Sequence, residues 1–425
     1  MNKQNFEEHI KRWMKGNHVP GMAVGIKKDG ELIYQKGFGL RDIDKKLPVD
    51  EHTVFGTASV TKSLTAAAVL LLAEEGKLSL NDPVANYLPE MRDIVPETQL
   101  DKLKVFHLLS HSTGLAPVER KESINRLRNH LSYLKETEKV WFDTPGETFS
   151  YSNDMFLLTG LIIERLTGES YREYTTRTFL NPLGMSRSTF NIQDLEEIAN
   201  VTIPYDFVNE QHVRCEWPKL GNYEVGGGLR SNVNDMLKYG HYLLQENLAE
   251  RLAVPRVRLL MGQSYGHGVQ VRQYDGKYTL IEHSGGQPGV SSHFGVIPEA
   301  NLSAVVLTNV GGVNASSVWL KLINAGLGIP SGQQRFNYEP ITLPQQRLDT
   351  YIGEYSSKEG SQVEITVQEN ELQVKSDKKH YRTQAIGNHI FIDEKEHNPI
   401  KFYMDETENQ AWGVLFGSRI LHRVN

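Results

Sequence analysis

The sequence predicts an α+β protein followed by a small all-β module. Three observations point there. Strand-like runs lie at both ends of the first 330 residues. A long, mostly helical stretch separates them. After a polar linker, the pattern changes to short strands that alternate apolar and polar residues. With 425 residues and roughly 100–200 residues per domain, the chain suits two or three domains. We divide it into 1–330, a linker at 331–344, and 345–425.

Residues 6–15 read as a short helix, with Phe6, Ile10 and Trp13 on one face. Residues 21–34 read as two strands joined at Lys28-Asp-Gly30, because Asp-Gly between apolar runs is a strong hairpin signal. A charged loop follows from Arg41 to His52. Residues 59–75 form the clearest helix, with Val60, Leu64, Ala67, Ala68, Leu71 and Leu72 in register and Gly76 as the stop. From Asp82 to about Lys219 the chain reads as helical and irregular. Its apolar helix segments are 106–109, 156–166 and 171–180. Strand character returns after Gly226-Gly-Gly228, and 279–283, 293–297 and 302–307 look like neighbours in one sheet. Beyond the linker, 363–367, 372–374, 390–392, 401–404, 412–416 and 420–421 make a series of short strands, either a small barrel or a sandwich.

Composition excludes several classes. The 46 basic and 52 acidic residues give a net charge of −6, which does not suit a bulk nucleic-acid binder. The single Cys215 rules out an intramolecular disulfide, an iron–sulfur cluster and a zinc site built on several thiolates. The longest run without a polar residue, Ala66 to Ala73, falls far short of the ~20 residues that span a bilayer. Glu7, Glu8 and Lys11 interrupt the start of the chain, where a signal peptide would be apolar. The expectation is a cytoplasmic protein with no membrane segment.

Three short motifs carry chemistry: Ser59-Val-Thr-Lys62, Tyr151-Ser-Asn153 and His283-Ser-Gly285. Singly they are weak, since Ser-x-x-Lys also occurs at Ser132–Lys135 and Ser376–Lys379. Context distinguishes the first. Ser59 opens a buried-looking helix, where the positive end of the macrodipole favours negative charge on its oxygen. Lys62 lies one turn on, on the same face. A desolvated lysine loses its proton more readily and can then serve as a base. Tyr151 follows the loop Pro145-Gly-Glu-Thr, and loops often display functional side chains. The bland alternatives are a capping serine, a solvated helix lysine, a loop tyrosine and a satisfied strand histidine.

Together the motifs resemble the Ser-x-x-Lys, Tyr-x-Asn and Lys-Thr-Gly set of serine β-lactamases and penicillin-binding proteins. The segments His107-Leu-Leu-Ser-His-Ser-Thr-Gly-Leu115, Pro145-Gly-Glu-Thr-Phe-Ser-Tyr-Ser-Asn153 and Gly226-Gly-Gly-Leu229 resemble signatures of the class C-like branch. The likeness spans roughly residues 15–325. The tail from Tyr351-Ile-Gly-Glu-Tyr355 onward resembles the lipocalin-like domain of some peptidases in this branch.

The resemblance implies a β-lactamase/transpeptidase-like antiparallel sheet flanked by helices, a mostly helical subdomain, and a C-terminal antiparallel β-barrel. It implies that Ser59 forms an acyl-enzyme, that Lys62 and Tyr151 share the proton work, and that Asn153 hydrogen-bonds the substrate amide. His283, Ser284 and Gly285 would line the opposite wall. The backbone N–H groups of Ser59 and Gly286 would form the oxyanion hole. No cofactor and no metal are implied.

One departure stands out: the third motif begins with His283 where the family has lysine. An unperturbed imidazole titrates near pH ~6.5, so capture of a substrate carboxylate should weaken. Relatives with histidine at this position include esterases and D-amino-acid peptidases. The expected function is therefore a peptidase on D-amino-acid-containing or peptidoglycan-type peptides. Carboxylesterase or weak β-lactamase activity is the alternative, and a non-catalytic sensor of peptidoglycan fragments is the alternative of another class. The expected partners are a small-molecule or short-peptide substrate and further copies of the chain.

Two other patterns fail on their own terms. Gly262-Gln-Ser-Tyr-Gly266 fits the nucleophile-elbow spacing, but a strand follows it where a helix is required. His107 and His111 lack the glutamate of the zincin pattern, which leaves a structural role at the Thr113-Gly114 loop.

Overall fold

The computed structural model describes residues 3–376 and 379–424. Among them, a nine-stranded antiparallel sheet forms the scaffold. Its order from edge to edge is Leu47–Pro48, Glu31–Asp42, Gly21–Lys28, Leu302–Thr308, Val290–Ile297, Tyr278–Gln287, Gln270–Tyr274, Gln263–Tyr265 and Val257–Arg258. The N-terminal hairpin thus sits beside the strand Leu302–Thr308, with Met22 paired to Thr308 and Lys28 to Leu302. Asp29 and Gly30 both take positive φ at its tip, as the expected Asp-Gly turn requires.

Both faces of this sheet are covered, so its central strands are buried along their length and do not alternate between core and solvent. Every residue of Val290–Ile297 and Leu302–Thr308 is buried. Met22, Val24, Ile26, Ala304 and Val306 pack against the terminal helices Lys3–Gly16 and Ala315–Leu327. Ala23, Val305 and Leu307 join the larger core on the other face, which includes helices Thr61–Glu74 and Val233–Gln245. In the first helix Phe6 and Ile10 are buried as expected, with Met14 as the third buried residue and Trp13 at the margin.

The helical subdomain holds Val105–Ser110, Leu127–Glu136, Asn153–Thr167 and Tyr171–Thr175. Two elements depart from the sequence reading. A small hairpin, Tyr205–Val208 with Gln211–Arg214, interrupts the stretch read as helical. The expected return to strands after Gly228 is delayed by helix Val233–Gln245. Asn232 caps that helix, its side chain accepting from the Asp235 N–H at 2.9 Å. The Gln263–Tyr265 segment is a short strand paired with its successor, so the nucleophile-elbow geometry is absent there.

The C-terminal part is a closed barrel of eight antiparallel strands, running in sequence order from Gly353–Ser356 to Arg419–Arg423. Closure pairs Tyr355 with Arg423. Sequence periodicity located most of these strands but not Gly353–Ser356 or Lys379–Gly387. The second decoy, Ser376–Lys379, has its two middle residues outside the described ones.

The barrel does not hang free. Phe149, Tyr151, Val257 and Tyr265 share a buried cluster with Leu415 and Ile420 of the barrel. Tyr151 N–H donates to Ser418 O at 2.9 Å, and Ile420 N–H donates to Ser150 Oγ at 3.3 Å. The 331–344 segment is also engaged, with Ile341 N–H on Ala385 O at 2.7 Å. Among the described residues, no helix is long and apolar enough to cross a membrane.

Ile420 is fully buried at this junction. Ile420→Ala is expected to lower unfolding free energy in urea by about 2–5 kcal/mol. It should also reduce turnover, because the strand carrying it holds the Tyr151 loop.

Candidate active site

Ser59 lies in a single 3-10 turn, Ala58–Val60, which leads directly into helix Thr61–Glu74. Backbone N–H groups in such a first turn have no intrahelical acceptor, which leaves the Ser59 amide available to an oxyanion. Side chains brace the turn. Thr61 Oγ1 donates to Ala58 O at 2.7 Å, Thr57 Oγ1 to Leu229 O at 2.9 Å, and Ser292 Oγ to Thr57 O at 2.6 Å. Ala58 has φ of +46°, a left-handed conformation costly for a residue with a Cβ. The backbone immediately before Ser59 is therefore strained, and its neighbours hold it there.

The structure brings Lys62, Asn153 and Gly226 together around Ser59. Lys62 Nζ lies 3.4 Å from Ser59 Oγ, 2.9 Å from Asn153 Oδ1 and 2.9 Å from Gly226 O. The side chain is fully buried. Burial pushes the ammonium well below its ordinary range, Arg419 and Arg120 push it further, and Glu359 opposes them. A neutral amine has two hydrogens, and Asn153 Oδ1 and Gly226 O are pure acceptors. Its lone pair is then left for the Ser59 hydroxyl to donate into.

Gly226 is required by this packing. A Cβ there would sit 2.7 Å from Lys62 Nζ. Of the three glycines after Val225, Gly226 is the one packed against the amine; a Cβ at Gly228 would instead meet Glu224.

Tyr151 is buried, and its hydroxyl has no hydrogen-bond partner in place. Burial raises its pKa, and the neighbouring Ser59 offsets part of the rise. It is a neutral phenol at working pH. Its ring is clamped from several sides. His111 stacks on it at 3.9 Å, Lys62 Nζ lies 4.9 Å from the centroid, and the Arg419 guanidinium 5.1 Å. His111 Nδ1 also lies 3.2 Å from both the N–H and the C=O of Ser152. His107 accepts the Lys104 N–H at 2.9 Å through Nδ1. Both histidines serve loop and helix geometry.

The opposite wall is strand Tyr278–Gln287. Gly285 passes so close to the Ser59 turn that a Cβ would lie 2.2 Å from Thr57 O and from Ser292 Oγ. At Gly286 a Cβ would meet nothing within 4 Å, so this end of the wall is open. His283 departs from expectation in one respect: it is not a titrating group near neutrality. Burial and the nearby Lys62 push its pKa down to about 3. Nδ1 lies 2.6 Å from Ser284 O, a pure acceptor, so Nδ1 carries the proton. Nε2 then accepts from Tyr265 Oη at 2.8 Å. Ser284 points to the other face of the strand and reaches His293 Nδ1 at 2.8 Å.

Sequence reasoning missed the barrel's contribution. Asn153 Nδ2 donates to Glu359 Oε1 at 2.9 Å. The other Glu359 oxygen pairs with Arg419 Nε. Burial alone would raise the Glu359 carboxyl, but Arg419 and Asn153 more than offset it and hold it below its usual range. Lys62, Asn153, Glu359, Arg419 and Tyr151 therefore form a continuous arc around Ser59, and the barrel supplies two of its members. No motif around Lys358-Glu-Gly360 or Ser418-Arg-Ile420 signals this.

This fold is that of the serine hydrolases of β-lactamase type. Residues 6–322 match the Beta-lactamase family, and the chain belongs to it. The Staphylococcus aureus (strain MRSA252) protein "Protein flp" is 28% identical over 326 residues, covering 72% of this chain and 63% of that protein. The chain thus spans less than two thirds of that relative's length. A D-aminopeptidase of Gluconobacter oxydans (strain 621H) is 27% identical over 355 residues, covering 79% of this chain and 64% of the relative. The solved structure of the octameric penicillin-binding protein homologue from Pyrococcus abyssi is 26% identical. It covers 99% of this chain and 100% of its own, with a TM-score of 0.73. That likeness runs through the barrel.

Two outcomes follow. Gly226→Ala should leave circular dichroism unchanged and cut turnover about a hundredfold, the typical cost of a 1 Å misplacement in an active site. Acid should destabilise the fold early. Burial lowers His107 and His267 to about 4 and His283 to about 3. The unfolded chain binds protons at these positions below pH ~6.5 while the folded one does not. Stability is therefore intact above that pH and falls as pH drops toward 4. The loss is up to about 1.4 kcal/mol per unit per imidazole. Melting temperatures across pH 7 to 4 measure it, and His267→Gln should flatten the slope.

Proposed function

We propose that the protein hydrolyses amides of D-amino-acid-containing short peptides through an acyl-enzyme on Ser59. The observation that carries this reading is the buried Lys62 Nζ, 3.4 Å from Ser59 Oγ and held by Asn153 Oδ1 and Gly226 O at 2.9 Å each. Ser59 gives its proton to Lys62 Nζ as its oxygen attacks the scissile carbonyl. The Oγ–C bond forms and the C–N bond breaks. The unpaired Tyr151 hydroxyl delivers a proton to the leaving nitrogen and is replenished from the Lys62 ammonium. Water then takes the leaving group's place and the steps run in reverse to free Ser59. The oxyanion is held by the amides of Ser59 and Gly286, donors typically worth a factor of about 10²–10³ each.

D-Aminopeptidase chemistry is favoured over β-lactamase chemistry by the neutral His283, which offers no positive charge to the β-lactam carboxylate. The full-length likeness to an octameric homologue supports a homo-oligomer as the working assembly, which light scattering on the purified chain would measure.

Mass spectrometry after treatment with a fluorophosphonate should give one adduct, on Ser59. Ser59→Ala should give none and should not turn over D-alanine p-nitroanilide. Turnover by Ser59→Ala, or the absence of an adduct on the parent chain, overturns the reading in favour of a binding module. The rate on D-alanine p-nitroanilide should rise with pH as Lys62 loses its proton, with an inflection well below that of an ordinary lysine. Lys62→Arg, which cannot deprotonate, should abolish the rise and most of the activity.

A further inference from the structure

The face of strand Tyr278–Gln287 turned away from Ser59 carries a row of polar side chains that the proposed reaction does not use. Side chains alternate along a strand. His283 and Gly285 face the Ser59 side, so Glu282 and Ser284 face the back of the sheet. On the neighbouring strand His293 is the register partner of Ser284 and shares that face. Ser284 Oγ lies 2.8 Å from His293 Nδ1, and His293 Nε2 lies 2.9 Å from Glu282 Oε2. The other Glu282 oxygen accepts from Arg335 Nη1. Arg335 belongs to the 331–344 segment that leads into the barrel.

This relay has one direction. Glu282 is buried. Burial raises its carboxyl, but Arg335 and His293 bring it down to about 2, so it is ionised and only accepts. His293 Nε2 therefore carries the hydrogen. Burial lowers the His293 imidazole, Glu282 opposes the shift and Arg335 adds to it. The ring is neutral near pH 7, which leaves Nδ1 to accept from the Ser284 hydroxyl. Two further groups bear on these charges. Arg272, on the next strand, is drawn to Glu282 and repelled by Arg335. His283, beside Glu282, is neutral. Trp319 brings no charge: its ring covers His293 at 4.7 Å between centroids and lies 5.5 Å from the Arg335 guanidinium.

Both ends of the relay are anchored. Arg335 Nη2 donates to Ser316 Oγ at 2.8 Å. Farther along the same segment, Tyr338 Oη and His397 Nδ1 of the barrel are 2.8 Å apart, and Ile341 N–H reaches Ala385 O. One short stretch thus touches the back of the wall and then the barrel. At the other end Ser284 is held twice, its carbonyl by His283 Nδ1 and its hydroxyl by His293. Two residues on stands Gly286, whose N–H is the second oxyanion donor of the proposed reaction.

We propose that Arg335 is a positioning residue for the Ser59 site, acting through Glu282, His293 and Ser284 to fix the strand that carries Gly286. The inference rests on the hydrolase reading of Ser59. Ser284 faces away from Ser59, so the relay acts on the strand and not on the substrate. Without Arg335, the buried Glu282 carboxylate would draw a proton onto His293. A doubly protonated imidazole has no lone pair left for Ser284.

Turnover of D-alanine p-nitroanilide reads the effect. Arg335→Met should lower kcat about tenfold or more and leave KM within about twofold, the mark of an interaction made in the transition state. Its activity should also fall more steeply than the parent's below about pH 7, where His293 gains its proton. Arg335→Lys, which keeps the charge, should restore both. Ser284→Ala should lower kcat to a similar extent, and adding Arg335→Met to it should cost less than about twofold more. An Arg335→Met chain with kcat within about twofold of the parent overturns the inference. So does a loss that Arg335→Lys does not restore, that leaves the pH profile unchanged, or that adds in full to Ser284→Ala. Nitrogen-15 NMR of the parent's histidines needs no change at Arg335, so it stands even if Arg335→Met fails to fold. His293, assigned by its loss in His293→Gln, should be neutral with its proton on Nε2 between about pH 6 and 8. A charged imidazole, or a proton on Nδ1, overturns the inference. Failure of the hydrolase reading shows separately, as a parent chain without an adduct on Ser59 whose His293 signals still report the relay.

Discussion

A lysine amine stripped of water sets the terms for the rest of this site. In water Lys62 would be an ammonium and useless as a base. Buried, it gives up its proton readily, provided that its hydrogens find acceptors and no other group competes for its lone pair. Asn153 and Gly226 meet the first condition, and the missing Cβ of Gly226 leaves room for the amine. The hydrophobic helix behind it, Thr61–Glu74, keeps water out. The strained turn at Ala58 points Ser59 at the amine.

The same requirement explains the barrel. Asn153 has two ends. One accepts from Lys62, and the other donates to Glu359, a barrel residue whose charge Arg419 balances. Arg419 adds a nearby positive charge that lowers Lys62 further, and it lies across Tyr151 as well. Glu359 pulls in the opposite direction, and the pair together sets the balance. A barrel docked by Leu415, Ile420 and backbone bonds to the Tyr151 loop is thus a wall of the candidate site around Ser59 as well as a covering domain.

His283 illustrates how far local identity and local behaviour can diverge. Read as an isolated imidazole, it would titrate near neutrality. Placed beside Lys62, inside the protein and between Tyr265 and the Ser284 carbonyl, it is neutral over the whole working range.

The sequence alone determined the elements whose information is local. Hydrophobic period and turn chemistry marked the Asp29-Gly30 hairpin, the Ser59 helix and most barrel strands. The spacing of Ser59 to Lys62 and of Tyr151 to Asn153 marked the residues that meet around Ser59. It passed over the helix Val233–Gln245, where the Asn232 cap was a readable signal. Tertiary structure decided whatever depends on residues far apart in the chain. Asn153 and Glu359 are 206 positions apart, and no local pattern links them. The protonation of Lys62 and His283 was likewise decided by burial and by charges arriving from other elements. Ionisation is a property of the surroundings, and those exist only once the sheet, the helical subdomain and the barrel have closed around the side chain.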